Sequence, residues 1–412
     1  MSQSDIGKRG NYGALFRNGT MDFAASWLLG YAQQGGMSPG ALLRCFAQIR
    51  NGRPASWAAT FERAGRAAHA RAVAAESSAR HAIAAQEWLA AAVAHRAALM
   101  MCDPTTSEAQ ALTNAMQEDF RAHLRTANLP IASWSIPFLD GHLPAYVSTG
   151  VETAEVLFVV LGGGDTYVED LWFFGGKHAN DEGWPILMVD LPGQGSTPDQ
   201  GFHFGPHTRD GLRATLDAVS GRGFSGDLVL CGWSGGGIFV TKFVSIATTE
   251  DRVRAWIAST PVHDAQRFFT QALPALLRRD PSSALARTAL RLARGNPVMR
   301  GALRKYDWQF GHGGIANALT TIADLGRTDL RELDSPVLAL VGSSEDPEGL
   351  RQATEVVNAV RLRHPESELH TFDPDTGADS HCQIANLPLA LATAFDWLQR
   401  IGIQPNTPPN RS

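Results

Sequence analysis

The sequence predicts an α/β fold with a mostly parallel central sheet, preceded by a helical N-terminal domain. Beyond residue 131, short apolar runs without polar alternation are separated by helix-like segments, as parallel strands buried on both faces require. From Met21 to about Asn128 the chain is rich in Ala and Arg and poor in β-branched residues, which favours helices. The predicted strands are Val156–Leu161, Ile186–Val189, Leu228–Cys231, Ala255–Ala258, Val337–Val341 and Leu369–Phe372.

These patterns divide the chain into two predicted domains. Residues 1–130 form a helical domain, which is either a scaffold or a lid over a site located elsewhere in the chain. Within it, the stretch from Ala55 to Met101 is one long helix or two. Residues 131–412 form the α/β domain, which starts with a hairpin around Asp140-Gly141. The interval of about 265–330 holds more helix than a simple crossover needs. We therefore expect an inserted helical cap there.

Composition and charge favour a cytoplasmic protein. The chain has 412 residues, 44% of them hydrophobic, with a net charge of −5 and no long run of one sign. This balance argues against nucleic-acid binding and against a basic membrane-binding patch. No secretory signal or transmembrane stretch is found. The four cysteines lack CxxC spacing, so we expect reduced thiols and no zinc site.

The motif Gly232-Trp233-Ser234-Gly235-Gly236 lies between a predicted strand and a predicted helix. A GxSxG sequence in this context is the nucleophile elbow of the α/β-hydrolase fold, a turn so tight that only glycine fits beside the serine. Ser234 is the predicted nucleophile. The amide of Gly235, at the start of the helix, is a predicted oxyanion donor.

The order of the other motifs fits the same fold, in which an oxyanion loop precedes the serine and an acid and a histidine follow it. Gly162-Gly163-Gly164-Asp165 ends the strand before the elbow, and Gly164 and Asp165 are its candidate oxyanion residues. After the elbow, Asp346 is the favoured acid because Asp-Pro commonly ends this loop, with Glu345 as the alternative. His381, on a late loop, is the predicted base.

Taken together, the motifs resemble one branch of the α/β hydrolases. The motifs on which this resemblance rests are Ile136-Pro137-Phe138, Leu143-Pro144-Ala145-Tyr146, Gly162-Gly163-Gly164-Asp165, Asp190-Leu191-Pro192-Gly193-Gln194-Gly195, the elbow, Gly377-Ala378 and His381-Cys382-Gln383. They are similar to those of dihydroxypseudooxynicotine hydrolase and of the fungal yellowish-green pigment hydrolases that shorten polyketides. The fermentation–respiration switch protein is a more distant relative.

This resemblance implies a helical N-terminal domain over the site and a triad of Ser234, Asp346 and His381. Several members cleave a carbon–carbon bond beside a ketone without metal or cofactor, so we expect neither here. Members with this activity can carry an extra acid near the position of Asp264, which would bond a substrate hydroxyl or enol. Asp264 fits a helix N-cap equally well.

The expected partner is a small apolar or aromatic molecule, because aromatic residues follow the oxyanion loop and fill the predicted cap. The candidate pocket residues are Tyr167, Trp172, Phe268 and Trp308. The same triad would serve a carboxylesterase, a thioesterase, or a biosynthetic acyltransferase or cyclase, and a non-catalytic binding protein is a further alternative. The N-terminal helices are compatible with a homodimer, although no pattern of apolar residues in them requires one.

Overall fold

The computed structural model describes residues 9–10, 12–205, 207–247, 251–279 and 283–405. Within these ranges, eight strands form a single sheet in the order β1-β2-β4-β3-β5-β6-β7-β8. The strands are β1 Ile131–Phe138, β2 Gly141–Ser148, β3 Val156–Leu161, β4 Ile186–Val189, β5 Asp227–Trp233, β6 Val253–Ser259, β7 Val337–Gly342 and β8 Glu368–Phe372. β2 pairs antiparallel with β4, and each pairing from β4 through β3 to β8 is parallel.

The N-terminal region is helical throughout most of its described length, with α1 Gly19–Ala32, α2 Pro39–Gln48, α3 Pro54–Ser77, α4 His81–Leu99 and α5 Ser107–Thr126. The stretch left open as one helix or two is two helices. Ala79, between α3 and α4, has a positive φ of 54°, which ends the first helix. Pro54 starts α3, where its missing amide hydrogen is not needed.

Further helices lie between and after the strands that follow. They are α6 Gly176–Asp181, α7 His207–Ser220, α8 Gly235–Val244, α9 Ala265–Ala272, α10 Ala275–Arg279, α11 Ala284–Ala293, α12 Pro297–Gln309, α13 Gly314–Asp324, α14 Pro347–Arg361 and α15 Leu387–Arg400.

Helices cover both faces of the sheet. One face packs on α7, α8 and α14 through a continuous apolar cluster that includes Leu157, Val159 and Leu161 of β3. On the other face, the ring of Phe158 lies 4.9 Å from that of Phe395 in α15. The alternation of side chains along β3 explains why its unbroken apolar run fits a strand buried on both sides. The predicted α/β class is confirmed.

The chain forms two compact units. The first holds the described parts of Met1–Gly10, Ala132–Arg279 and Gln309–Ser412, and the second those of Asn11–Ile131 and Asp280–Trp308. The segment predicted as a cap is thus divided, since its central part belongs to the same unit as the N-terminal helices. Among the described helices, none combines the length and the apolar character needed to cross a membrane.

Candidate active site

Ser234 lies in a sharp turn between β5 and α8. Its φ of 55° is rare for a residue with a side chain. A Cβ on Gly232 would lie 2.4 Å from the carbonyl oxygen of Gly236, and one on Gly236 would lie 2.6 Å from that of Gly162. Both positions therefore require glycine. The GxSxG motif forms the elbow that the sequence predicts, and it holds the Ser234 side chain at the carboxyl end of the sheet.

His381 lies beside this serine. Its Nε2 is 3.0 Å from Ser234 Oγ, and its Nδ1 is 2.6 Å from a carboxylate oxygen of Glu345. The main-chain amide of His381 donates a hydrogen bond of 2.8 Å to the carbonyl of Arg9. The structure thus brings together a hydroxyl, an imidazole and a carboxylate in the order that nucleophilic catalysis needs.

The carboxylate at His381 belongs to Glu345, which corrects the prediction that favoured Asp346. Asp346 instead accepts a hydrogen bond of 2.9 Å from the amide of Glu348 and caps the N-terminus of α14. The other oxygen of Glu345 accepts from the amide of Gly342 at 2.8 Å and from Gln383 at 3.3 Å. The Glu345 carboxylate therefore lies between Gly342, the last residue of β7, and the imidazole of His381.

The surroundings of His381 favour its charged form. Burial lowers the pKa of the imidazole, but Cys382 and the Glu345 carboxylate raise it by more, so the pKa of His381 lies above its ordinary value. An imidazolium formed during proton transfer from Ser234 would therefore be stabilised where it arises.

The glycine loop after β3 lies directly against the elbow. A Cβ on Gly163 would be 2.6 Å from the Cβ of Ser234, and one on Gly235 would be 3.5 Å from the main-chain nitrogen of Gly164. Gly164 and Gly235, two predicted oxyanion residues, are thus neighbours. The side chain of Asp165 forms an ion pair of 2.9 Å with Arg9. The lack of a side chain at Gly163 is what allows the loop to come this close to the nucleophile.

The four predicted pocket residues have different surroundings. Tyr167 is buried, and its amide donates to Asp170 at 2.8 Å. Trp172 is buried, with its ring at Gly176. Phe268 packs with Phe269 on a cluster that includes Ile238 of α8. Trp308 is buried within the second compact unit.

Asp264 occupies the N-cap of α9. Its carboxylate accepts a hydrogen bond of 2.9 Å from the amide of Arg267. Its own amide donates to Gln352, and its carbonyl accepts from that side chain. Of the two roles considered for Asp264, these contacts favour the cap.

We expect Asp264→Ala to lower the free energy of unfolding by about 1 kcal/mol through loss of the cap, while kcat stays within about twofold. Asp264→Asn, which also caps well, should leave both quantities near those of the wild type. Urea unfolding and steady-state kinetics on the two variants check this. A large fall in kcat for Asp264→Asn, with unchanged stability, would instead indicate an acid that acts on the substrate.

An aromatic cluster lies beside the glycine loop; the sequence marks Phe310 as one of the aromatic residues of the predicted cap but does not predict its grouping with Phe204 and Phe239. The ring of Phe204 lies 5.8 Å from that of Phe239 and 5.2 Å from that of Phe310. A Cβ on Gly164 would be 3.8 Å from Phe204. Phe204 is separated from the other two rings by long stretches of sequence, so no local pattern marks the cluster. It gives the loop an apolar, aromatic flank.

Potential metal ligands are dispersed in the described part of the chain. Within the ranges that the structure describes, no three or more His, Cys, Asp or Glu side chains are grouped to hold a metal ion. The four cysteines are free thiols.

The sequence matches the alpha/beta hydrolase family over residues 156–382, more than half of the chain. The chain belongs to this family. The matched region runs from β3 to the histidine loop and so contains Ser234, Glu345 and His381. No curated protein sequence matches at a significant level.

Solved structures of other proteins share the fold of this alpha/beta hydrolase. The crystal structure of 2,6-dihydroxy-pseudo-oxynicotine hydrolase is 15% identical with a TM-score of 0.67, covering 92% of this chain and 98% of that one. The structure of wild-type AbyA5 is 17% identical with a TM-score of 0.62, covering 90% and 91%. At these identities the likeness establishes the fold. The resemblance inferred from the motifs is confirmed at the level of family and fold.

Proposed function

We propose that this alpha/beta hydrolase is a serine hydrolase with Ser234 as nucleophile, His381 as base and Glu345 as the acid that orients the base. The hydrogen-bonded chain from Ser234 Oγ through His381 to Glu345 carries the proposal. Its two distances are those of a base in contact with its nucleophile and of a carboxylate in contact with its base.

In the proposed mechanism, Ser234 Oγ attacks a substrate carbonyl carbon while His381 Nε2 takes the hydroxyl proton. The amides of Gly235 and of the Gly164–Asp165 stretch stabilise the oxyanion. When the tetrahedral intermediate collapses, the leaving group departs with the proton from His381. Water then attacks the acyl-enzyme ester, His381 accepts its proton, and a carboxylic acid leaves as Ser234 regains its hydrogen.

We further propose that the bond cleaved is a carbon–carbon bond next to a ketone, in a β-diketone, an acyl-aromatic or a polyketide-type substrate. The leaving group is then a carbanion, which a neighbouring ketone or aromatic ring must delocalise. The motif resemblance supports this reaction, and one protein of the same fold is named a hydrolase of 2,6-dihydroxy-pseudo-oxynicotine. The ring of Phe204, which lies near Gly164 and packs with Phe239 and Phe310, supports an apolar or aromatic substrate.

A fluorophosphonate probe combined with product analysis tests both parts. We expect the probe to label Ser234, identified by mass spectrometry of the labelled peptide, with loss of fluoride. We expect 1-phenylbutane-1,3-dione to yield either benzoic acid and acetone or acetic acid and acetophenone, one water being consumed in each case. Heat-denatured protein is the control for spontaneous reaction.

The outcomes separate the two parts of the proposal. Labelling of Ser234 with hydrolysis of aryl esters but not of the diketone would leave a serine esterase and overturn the carbon–carbon activity. Absence of any adduct on Ser234 in folded protein would overturn the serine mechanism itself.

A further inference from the structure

Three side chains hold the carbonyls of the glycine loop after β3. Gln194 donates to the carbonyl of Gly162, Thr166 donates to that of Gly163 at 3.2 Å, and Gln309 donates to that of Gly164 at 2.5 Å. All three side chains are buried, with Gln194 at 0% and Gln309 at 2% exposure. Three consecutive carbonyls are therefore fixed by residues from different parts of the chain.

Fixing a carbonyl also fixes the amide that follows it. In a trans peptide unit, the C=O of one residue and the N–H of the next point in opposite directions within one plane. The bonds to Gly162, Gly163 and Gly164 thus set the directions of the amides of Gly163, Gly164 and Asp165. The last two are the amides to which the proposed mechanism assigns the oxyanion.

Gln309 is held more firmly than a single hydrogen bond implies. Its Nε2 also donates to the carbonyl of Gly193 at 3.1 Å, so both amide hydrogens are used. Two carbonyl acceptors at one end of the side chain identify that end as the NH₂ group. Its main-chain carbonyl accepts from the amide of Phe204 at 2.9 Å. The side chain therefore acts as a fixed brace between the glycine loop and the loop after β4.

We infer that Gln309 is a positioning residue of the oxyanion hole. Its role is to keep the Gly164–Asp165 peptide in the orientation that presents the amide to a developing negative charge. The inference rests on the proposed function, because an oxyanion arises only if Ser234 attacks a carbonyl. Preorganised donors stabilise charge well because they do not have to reorient during the reaction, and Gln309 supplies that preorganisation without touching the substrate.

Gln309→Met and Gln309→Glu test the inference. Methionine keeps the length of the side chain without donors, and a carboxylate would face two carbonyl oxygens that it cannot bond. We expect each variant to lower kcat roughly 10- to 100-fold, since an amide lost from an oxyanion hole costs about 10²–10³-fold, with KM within about twofold. The affinity for phenyl trifluoromethyl ketone, which forms a tetrahedral serine adduct, should fall by a similar factor.

Gln200→Met is the matched control. Gln200, in the short Thr197–Gln200 helical turn, also donates to a main-chain carbonyl, but that carbonyl belongs to His142 of β2, at 3.0 Å. We expect it to leave kcat and inhibitor affinity unchanged. Melting temperatures separate loss of folding from loss of positioning, and Gln309→Glu gives a second variant should Gln309→Met fold poorly.

The possible results are distinct from those that test the proposed function. If the wild type is labelled at Ser234 and the folded Gln309 variants match Gln200→Met in kcat and inhibitor affinity, the inference is wrong. If kcat and KM change while inhibitor affinity does not, Gln309 affects substrate binding and the inference is likewise wrong. Failure of the wild type to react with fluorophosphonate would instead overturn the proposed function.

Discussion

Ser234→Ala is expected to reduce kcat on the order of 10⁶-fold, since removing a triad serine costs about as much as removing the whole triad. KM should change little, because the hydroxyl contributes to the reaction more than to binding. The fluorophosphonate adduct should disappear as well. Steady-state kinetics over a wide range of enzyme concentration, together with intact-protein mass spectrometry, measure both effects.

Ser245→Ala is the control for this change. Ser245 lies at the other end of α8, where its hydroxyl donates to the carbonyl of Lys242. Its replacement should leave activity and labelling intact. The Ser234 variant should fold normally, because its hydroxyl is not needed for the strand–turn–helix geometry that the neighbouring glycines permit. Substantial turnover by well-folded Ser234→Ala, free of wild-type contamination, would mean that another group attacks the substrate.

Local sequence features predict much of the fold because they act through neighbouring residues. β3 and β4 begin and end where their apolar runs do, since a strand buried on both faces needs an unbroken run. The elbow is equally predictable, because steric exclusion at Gly232 and Gly236 leaves a motif in the sequence. The choice of Ser234 as candidate nucleophile follows from that motif, and the choice of His381 as candidate base follows from the order of the loops.

Other features depend on how distant segments meet, and no local pattern reveals them. Glu345 and Asp346 are adjacent, so the order of motifs does not distinguish them, and the choice depends on which side chain reaches His381. Gln309 contacts a carbonyl 145 residues away along the chain, and its own surroundings in sequence contain no motif. The division of the predicted cap between two units depends on tertiary packing in the same way.

The adjacent carboxylates Glu345 and Asp346 give the sharpest test of the site. Glu345→Gln should lower kcat by about 10⁴-fold, because an amide stabilises neither the required tautomer of the base nor its imidazolium form. Asp346→Asn should keep kcat within about twofold, and it should keep the melting temperature as well, because asparagine caps a helix about as well as aspartate. Assays of both variants under identical conditions provide the comparison.

The pH dependence of kcat/KM is an independent test of whether Glu345 or Asp346 orients His381. The Glu345 carboxylate helps to raise the pKa of His381 above its ordinary value, and the base must be neutral to accept the Ser234 proton. The acid limb of kcat/KM reports the pKa of this base in the free enzyme. Removing the carboxylate removes a cause of the raised pKa, so in Glu345→Gln the limb should move to lower pH, whereas in Asp346→Asn it should stay in place. An inactive Asp346→Asn beside an active Glu345→Gln would return the acid role to Asp346.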